Sequence, residues 1–297
     1  MKPARVFLLT LLAMIAFASN SLLCRAALKN TTIDAATFTF VRIISGALML
    51  WLSTQLRGRS IDEASSVVEG PSRRSLRDAG NWPSALALYI YAAAFSFAYL
   101  HLSAGTGALL LFGAVQATMI LSGLRGGERF RAIQLVGFLA AMIGLVVLVF
   151  PGLSAPPLAG SILMLSAGVA WGVYSLRGKT QRDATAATTG NFVRAAPFAA
   201  LLSICMIGWM HLDSLGIIYA VISGAITSGI GYVIWYSALP ALKATSAATV
   251  QLSVPVLAAA GGIILLGEPL TLRFLVASVA ILGGIFLVVI EKRQPAS

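Results

Sequence analysis

Charged residues are scarce in this sequence. Only 10% of the 297 residues are Asp, Glu, Lys or Arg, whereas 58% are hydrophobic. A soluble globular protein carries about 25% charged residues. A chain of this composition cannot bury all of its apolar surface in a core of its own, so the composition indicates a protein that lies in a lipid bilayer.

Cysteine and histidine are also rare, with two residues of each. Cys24 and Cys205 both lie in or beside apolar runs, and their separation fits neither a disulfide framework nor a metal-ligand spacing. His101 and His211 have no acidic partner at a useful spacing. The sequence also lacks a phosphate-binding P-loop and the Gly-x-Ser-x-Gly motif of serine hydrolases. We therefore expect no enzyme activity, no metal and no cofactor.

What the sequence does contain is a series of apolar runs. Each run has about 20 residues, which is long enough to cross a bilayer as a helix. The first lacks a clean small-x-small cleavage site, so we interpret it as a helix of the mature protein. These runs predict an all-α integral membrane protein with ten transmembrane helices, at 5–24, 34–56, 82–102, 107–124, 132–150, 159–177, 189–209, 215–238, 245–266 and 271–290.

Two short motifs recur in the second half of the chain. Residues 127–128 and 267–268 both read Gly-Glu, at an offset of about 140, and residues 40–42 and 192–194 both read Phe-Val-Arg, at an offset of 152. The two offsets differ because a loop at 57–81 is longer in the first half. The chain is therefore interpreted as one unit written twice.

The number of helices in each unit determines their relative orientation. The first unit spans residues 1–151 and the second 152–297, and each is expected to contain five helices. Because five is odd, the second unit must enter the membrane from the opposite side. This predicts two inverted repeats related by a pseudo-two-fold axis in the membrane plane, which is a common architecture of carriers.

The net charge of +11 follows the predicted topology. With the N-terminus inside, 16 of the 21 basic residues fall on the inner side and three on the outer side. The positive-inside rule therefore predicts that both termini and loop 57–81 are cytoplasmic. The charge is explained by the lipid bilayer as partner, and no nucleic-acid partner is expected.

All ten acidic residues fall in predicted loops or at helix ends. A proton-coupled or cation-coupled carrier usually places a carboxylate within the membrane, so we expect uncoupled transport of a solute with no fixed net positive charge. Glu128 and Glu268 each follow a glycine that ends one helix, and each is predicted to lie in the first turn of the next helix. We interpret both as structural, with a role in transport chemistry as the alternative.

Three other residues could be structural. Arg42 and Arg194 fall within predicted helices and are expected to snorkel to the nearer interface or to form a structural pair. The alternative is a contact with the substrate or a gate. Pro255 is expected to kink the ninth helix and to free the carbonyl of residue 251, either beside a cavity or as an architectural feature only.

Candidate substrate-binding residues are the polar and aromatic side chains well within the apolar runs. A primary amide in lipid needs partners, which a cavity supplies, and aromatic walls with a few amides suit an amphipathic organic solute. Hydrogen bonds between helices and ordinary packing are the alternatives. The candidates are Asn20, Tyr89, Ser96, Tyr99, Gln116, Trp171, Tyr174, Tyr232, Trp235, Tyr236 and Gln251.

The chain resembles the drug/metabolite transporter superfamily, in its ten-helix EamA-type branch. The resemblance depends on the five-plus-five layout, the repeated Phe-Val-Arg, Ala-Trp-Gly at 170–172, and Pro255 followed by Gly-Glu-Pro-Leu at 267–270. The first half departs from the pattern, because residues 115–116 read Val-Gln where the family often has proline and residues 17–18 read Phe-Ala in place of Trp-Gly.

The resemblance implies a function. Members of this branch look like exporters of amino acids and other metabolites that work by alternating access, with a central cavity between helices one, three, four, six, eight and nine. The long first loop and the aromatic-rich cavity favour the bacterial aromatic amino-acid exporter. We expect a monomer in the bacterial inner membrane. The alternatives are a proton-driven drug or metabolite exporter, and a membrane enzyme or non-transporting protein.

Overall fold

The computed structural model describes residues 3–64, 79–127, 131–150, 152, 155–178, 181, 183–242 and 250–291, with side chains omitted at 57–64 and 289–291. All regular structure in these residues is helical, and a helix coincides with every apolar run. The predicted all-α class is therefore confirmed. The helices are α1 (Pro3–Asn30), α2 (Ala35–Ala64), α3 (Trp82–Tyr99), α4 (Ala104–Arg125), α5 (Ala132–Val149), α6 (Leu158–Gly178), α7 (Ala184–Cys205), α8 (Ser214–Ala241), α9 (Ser253–Leu266) and α10 (Leu272–Glu291).

Six of these helices are long and apolar enough to cross a membrane by length and composition: α1, α2, α4, α5, α6 and α8. The segments Ser253–Leu266 and Leu272–Val288 are shorter apolar helices. The protein is therefore a multi-pass helical protein, and a count of ten crossings stays a prediction.

The first helix is longer than the predicted run of 5–24, because its last turns contain cations that bind other helices. Arg25 Nη1 donates to the carbonyl oxygen of Tyr99 at 2.8 Å, and Lys29 Nζ donates to that of Leu266 at 2.8 Å. Both acceptors are the last residues of their helices, where carbonyl groups lack partners and cations are favoured. The charges end the apolar run without ending the helix.

The second helix also exceeds its prediction. Residues 57–64 were expected to begin a loop, but α2 continues to Ala64. An α-helix satisfies its own backbone hydrogen bonds whatever its side chains, so it can extend past its apolar run. The rest of the predicted loop, up to residue 78, lies outside the described residues.

Close contacts between small residues set the direction of two helix pairs. Gly137 of α5 lies against Gly284 of α10, and Gly144 lies against Ile281. The residue numbers rise along one helix as they fall along the other, so α5 and α10 are antiparallel. The same holds for α2 and α7, in which Gly46 contacts Phe192 and Ser203 donates to the carbonyl oxygen of Ala36.

The repeated Gly-Glu motif has a structural role that differs from the predicted one. Gly127 and Gly267 do end α4 and α9, with positive φ angles of 91° and 62° that favour glycine. Glu268, however, is four residues before the start of α10 and is not in its first turn. Its Oε2 instead accepts the backbone N–H of Ala104, the first residue of α4, at 2.8 Å. Glu128 lies outside the described residues.

The cap on α4 marks one end of the bundle, which we call the Glu268 end. There Glu268 Oε1 accepts from Arg25 Nε at 3.3 Å. The sequence predicted that Glu268 belongs to α10, whereas it caps α4. The N-terminus of α4 approaches Glu268 only through tertiary packing. The unpaired N–H groups of that N-terminus attract a carboxylate. We call the opposite end, where Asn81 caps α3, the Asn81 end.

The ninth helix is interrupted close to Pro255. Residues 250–251 are helical, Leu252 is a turn, and the continuous helix begins at Ser253. The break lies on the side where proline removes a backbone donor. This agrees with the expected kink, while a cavity beside it stays a prediction.

Candidate functional site

The middle of α8 is wound more widely than an α-helix. Residues Ile222–Ile230 form a π-helix, and Ser223 and Thr227 in it both donate to Asn20 Oδ1 of α1, at 2.6 and 3.3 Å. On the neighbouring face, Gly224 lies against the backbone of Arg42, where a Cβ atom would not fit. π-Helical turns often lie at functional sites, and this one meets α1 and α2 together.

The polar contacts continue from α8 to α3. Asn20 Nδ2 donates to the Tyr91 hydroxyl at 3.3 Å, and Arg42 Nη2 donates to the same oxygen at 3.0 Å. Side chains from α1, α2, α3 and α8 therefore form one connected group. We call it the central polar cluster: Asn20, Arg42, Tyr91, Ser223 and Thr227.

Arg42 does not snorkel to an interface, which corrects the prediction. Its side chain is among the largest fully buried ones, at 2% exposure. The guanidinium carbon lies 5.2 Å from the ring centroid of Tyr91 and 4.9 Å from that of Phe95, within the range of cation–π attraction. The two rings hold the cation inside the bundle, so α2 contributes directly to this site, although the cavity that the resemblance implies does not include helix two.

The charge on Arg42 has no anionic partner among the residues that the structure describes. Within that part of the chain the ion pair found is Arg25–Glu268, at the Glu268 end. Nη1 of Arg42 is buried without a hydrogen-bond partner. A charge at the centre of a bilayer costs roughly 2.5–3.5 kcal/mol on insertion scales, and such residues usually mark functional sites.

A group of stacked rings adjoins the central polar cluster. The ring centroid of Trp171 lies 4.8 Å from that of Tyr91 and 5.3 Å from those of Tyr174 and Tyr232. Phe17 packs edge-on against Tyr232 and Trp235. We call this group the aromatic wall: Phe17, Tyr91, Trp171, Tyr174, Tyr232 and Trp235. Tyr91 belongs to both groups and joins them.

The aromatic wall extends towards the Asn81 end through a second set of hydroxyl and amide groups. The Tyr174 hydroxyl donates to Thr188 Oγ1 at 3.2 Å and accepts from Asn191 Nδ2 at 3.5 Å, and Thr188 reaches the Tyr236 hydroxyl at 3.5 Å. These residues border a cavity of about 10 Å³ beneath Asn81. Hydroxyl and amide groups thus surround only a small cavity at this end of the bundle.

Three of the candidate residues lie on α3, and none of them belongs to the aromatic wall. Ser96 is fully buried and donates to the carbonyl oxygen of Ala92, while the Tyr99 hydroxyl donates to that of Ala104. Tyr89 is half-buried against Phe198 of α7, at 5.5 Å between ring centroids. The hydroxyl groups of Ser96 and Tyr99 thus donate to the backbone, and Tyr89 packs against α7.

The other candidates are Gln116, Gln251 and Arg194. Gln116 is 3% exposed, and its Nε2 has no hydrogen-bond partner, whereas Gln251 is half-buried. Arg194 donates to the carbonyl oxygens of Ala79 and Gly190 near the Asn81 end, which is a structural contact. A larger cavity, of about 170 Å³, lies at the Glu268 end beside His101, Ser103 and Thr271, outside the central polar cluster.

The sequence interpretation overlooked three aromatic residues of the site: Phe17 of the aromatic wall, and Tyr91 and Phe95 beside Arg42. Tyr91 and Phe95 contact the Arg42 guanidinium, and neither was selected. Together with Tyr99 they recur every four residues, which places them on one face of α3. That spacing was the available signal.

A bundle of apolar helices that encloses a buried cation, hydrogen-bonding side chains and stacked rings is typical of a membrane carrier for small molecules. The comparison with known proteins agrees. The profile of the EamA-like transporter family matches residues 158–290, and the chain belongs to this family. The predicted likeness to the drug/metabolite transporter superfamily is thereby confirmed.

Individual relatives cover more of the chain. An uncharacterized protein of Pseudomonas aeruginosa is 55% identical over 98% of this chain and 97% of its own length. An uncharacterized transporter of Archaeoglobus fulgidus is 30% identical over 71% of this chain and 78% of its own length. A probable amino-acid metabolite efflux pump of Salmonella typhimurium is 29% identical over 62% of this chain and 67% of its own length.

One solved crystal structure has the same fold. It matches 98% of this chain and 99% of its own with a TM-score of 0.62, at 17% sequence identity. At that identity the likeness concerns the fold alone.

Proposed function

We propose that the protein exports amino acids, aromatic ones among them, or related small metabolites across the bacterial cytoplasmic membrane. The observation that carries this proposal is the direct contact between the central polar cluster and the aromatic wall through Tyr91. The polar cluster suits the charged and hydrogen-bonding part of an amino acid, and the wall suits its side chain. The name of the Salmonella relative supports the same cargo class.

Alternating access is proposed because the helix packing has an internal two-fold pattern. α1 packs on α8 and α9, as α6 packs on α3 and α4, and both α2–α7 and α5–α10 pair a helix with its counterpart five positions on. The two counterpart pairs are antiparallel. Two inverted five-helix halves, with both termini in the cytoplasm, could rock about the site and open it to each side in turn. A single chain suffices for this cycle, so we propose a monomer.

Transport is proposed to be uncoupled, because the central polar cluster contains no carboxylate. One observation favours the proton-driven alternative: Glu268 is buried, at 8% exposure. Its carboxylate caps α4 and pairs with Arg25 at one end of the bundle. We therefore assign it to holding that end together.

Reconstitution in liposomes tests both the proposed uncoupled export and the proton-driven alternative. Liposomes that contain the purified protein and radiolabelled L-phenylalanine or L-leucine are followed for efflux with and without a pH gradient, with protein-free liposomes as control. Saturable efflux that is equal under both conditions is expected. Efflux that follows the gradient and is abolished by Glu268→Gln would favour the proton-driven exporter, and silence towards all amino acids would contradict the proposed cargo.

A further inference from the structure

We propose that Arg42 is the counter-ion for a carboxylate group of the cargo, so that the site accepts small molecules with a carboxylate and rejects amines and amides of the same shape. This rests on the proposed function, because it assigns the substrate class of the same site. The sequence alone favours a snorkelling or structural role for Arg42, with contact to the substrate or a gate as the alternative; it does not indicate the chemistry of the ligand.

Arg42 differs from three other arginines of the bundle in the number of its hydrogen-bond acceptors. Arg25 donates to Glu268 and to backbone carbonyls, Arg177 donates to Asn81 and Ser84, and Arg194 donates to two carbonyls. Arg42 donates to one phenol oxygen, that of Tyr91. Arg42, the most deeply buried of these four arginines, thus has fewer hydrogen-bond acceptors than Arg25, Arg177 or Arg194.

The Arg42 guanidinium has a nitrogen, Nη1, that is free to bind a ligand. Nη1 is buried and has no partner, while Nη2 on the same guanidinium is oriented by Tyr91. The planar guanidinium presents parallel N–H groups that match the two oxygens of a carboxylate. Because Tyr91 and Phe95 lie against the cation, it is held in place before a ligand arrives.

The aromatic wall adjoins the Arg42 guanidinium through Tyr91. The Tyr91 ring, 5.2 Å from the guanidinium carbon, is itself 4.8 Å from the ring of Trp171. One small molecule could therefore place a carboxylate at Arg42 and an apolar group against Trp171 or Tyr232. Asn20 Nδ2 already donates to the same tyrosine hydroxyl, which adds a polar group beside the carboxylate.

The charge balance gives the selectivity. Without cargo the central polar cluster carries one positive charge, and no acidic side chain among the described residues neutralises it. A carboxylate removes this unpaired buried charge on binding, whereas an amine adds a second positive charge to it. The site therefore discriminates by the charge of the cargo as well as by its shape.

The test measures binding separately from transport. Detergent-purified protein is heated with L-phenylalanine, 3-phenylpropanoate, L-phenylalaninamide or phenethylamine, and with L-leucine or isoamylamine as an aliphatic pair. A ligand that binds the folded state raises Tm. We expect a concentration-dependent rise with the carboxylates and none with the amide or the amines.

Variants identify the residue responsible. Arg42→Met should weaken carboxylate binding at least tenfold, while its Tm without ligand stays at or above that of the unchanged protein, because a buried charge without an anionic partner is removed. Arg42→Lys keeps the charge but loses the planar fork, so it should retain the preference for carboxylates with weaker binding. Arg194→Met, at the counterpart position, serves as the matched control and should bind carboxylates normally.

Three results would overturn the proposal: equal stabilisation by carboxylates and amides, an unchanged carboxylate preference in Arg42→Met, or failure of both Arg42 variants to fold. The proposed export function fails separately. Carboxylate-selective binding without efflux from liposomes would refute export and leave the assignment of Arg42 standing. Efflux of amino acids that Arg42→Met does not alter would refute the assignment and leave export standing.

Discussion

At the scale of single residues, Asn20 is the point at which three helices exchange side-chain hydrogen bonds. Its amide oxygen accepts from Ser223 and Thr227 of α8, and its amide nitrogen donates to Tyr91 of α3. A primary amide can satisfy donors and acceptors at once, which no apolar residue of similar size can do. Asn20 therefore fixes the position of α1 relative to the π-helical turn.

Replacement of Asn20 by leucine should destabilise the protein and impair transport. The change removes the hydrogen bonds to Asn20 and deprives the buried Ser223 hydroxyl of its acceptor, at a cost of about 1–3 kcal/mol. The measurement is Tm by intrinsic fluorescence together with efflux from liposomes. Ser166→Ala is the control, because Ser166 bonds only within α6, to the carbonyl oxygen of Ile162. Equal Tm values for the two variants would contradict the structural role of Asn20.

Asp34 is a second residue whose contacts predict a measurable effect. Its Oδ1 accepts the N–H groups of Ala36 and Thr37 at the start of α2, and its Oδ2 accepts that of His211 before α8. Asp34→Ala should cost about 1 kcal/mol, as the loss of a helix N-cap usually does. Chemical or thermal unfolding at neutral pH measures the difference in stability between Asp34→Ala and the unchanged protein. Asp183→Ala is the control, because it removes the N-cap of α7, which has no link to His211.

The same residue gives a pH dependence. Partial burial acts to raise the pKa of Asp34, but hydrogen bonds from Thr37, His211 and Ala36 outweigh it and lower the pKa below its ordinary value of 3.8. The carboxylate therefore contributes stability that is present above the unfolded pKa and is lost as the pH falls through the folded one. The Tm difference between the unchanged protein and Asp34→Ala should shrink below about pH 4. A difference that grows on acidification would contradict this assignment.

Part of the site could be predicted at this scale and part could not. Asn20, Trp171 and Tyr232 were found from the sequence because a polar or aromatic side chain stands out within an apolar run. The burial of Arg42 and the cap that Glu268 places on α4 depend on which helices pack together. The order of residues along the chain does not show which helices pack together. The predictions that Arg42 snorkels and that Glu268 lies in the first turn of the next helix were therefore wrong.

At the scale of helices, the pairing of α5 with α10 depends on the absence of side chains at two positions. A Cβ atom on Gly284 would lie 2.7 Å from the backbone nitrogen of Ala141, and one on Gly137 would lie 2.6 Å from the carbonyl oxygen of Gly284. Small residues let helix backbones approach closely in lipid, where packing replaces the hydrophobic driving force. The two helices therefore hold the two halves of the chain together.

Gly284→Leu should lower stability, whereas Gly283→Leu should not. A side chain at 284 must push α5 away, at a cost of about 1–3 kcal/mol. A side chain at 283 enters open space, with nothing within 4 Å of its Cβ atom. Tm and the yield of monodisperse protein in mild detergent measure the effect. Equal loss in both variants would show that any bulk at this end of α10 is harmful.

Helix positions were well predicted by hydropathy, and helix ends were not. The apolar runs located all ten helices, because burial in lipid or in the bundle requires apolar residues along each helix. Both α1 and α2 continue past their apolar runs into segments that contain charged residues. The π-helical winding of Ile222–Ile230 has no counterpart in the hydropathy pattern, since it depends on contacts with α1 and α2.

At the scale of the whole molecule, the connections gather at two distinct ends. The last turns of α1, α3, α5, α7 and α9 lie at the Glu268 end, and the last turns of α2, α4, α6 and α8 lie at the Asn81 end. Arg25, Lys29 and Arg273, the three basic residues predicted to lie outside, all bond at the Glu268 end. The predicted orientation thus assigns this end to the periplasmic side.

Reporter fusions test that orientation. Alkaline phosphatase is active only after export, so a fusion after Met210, between α7 and α8, should be active. A fusion after Gly178, between α6 and α7, should be inactive, and fluorescent protein fusions should give the reverse. Activity at Gly178 with silence at Met210 would place both termini outside and would contradict the charge-based topology.

The π-helical stretch of α8 has a consequence for sequence change in this protein. Such a segment is a helix that has absorbed one surplus residue without rotating its flanks. Shortening Ile222–Ile230 by a single position should leave Tyr219 and Tyr232 on their present sides and allow the chain to assemble. The tighter turn would change the distances from Ser223 and Thr227 to Asn20. Loss of transport without loss of assembly is the expected phenotype of that one-residue deletion, and most membrane helices would not tolerate the same change.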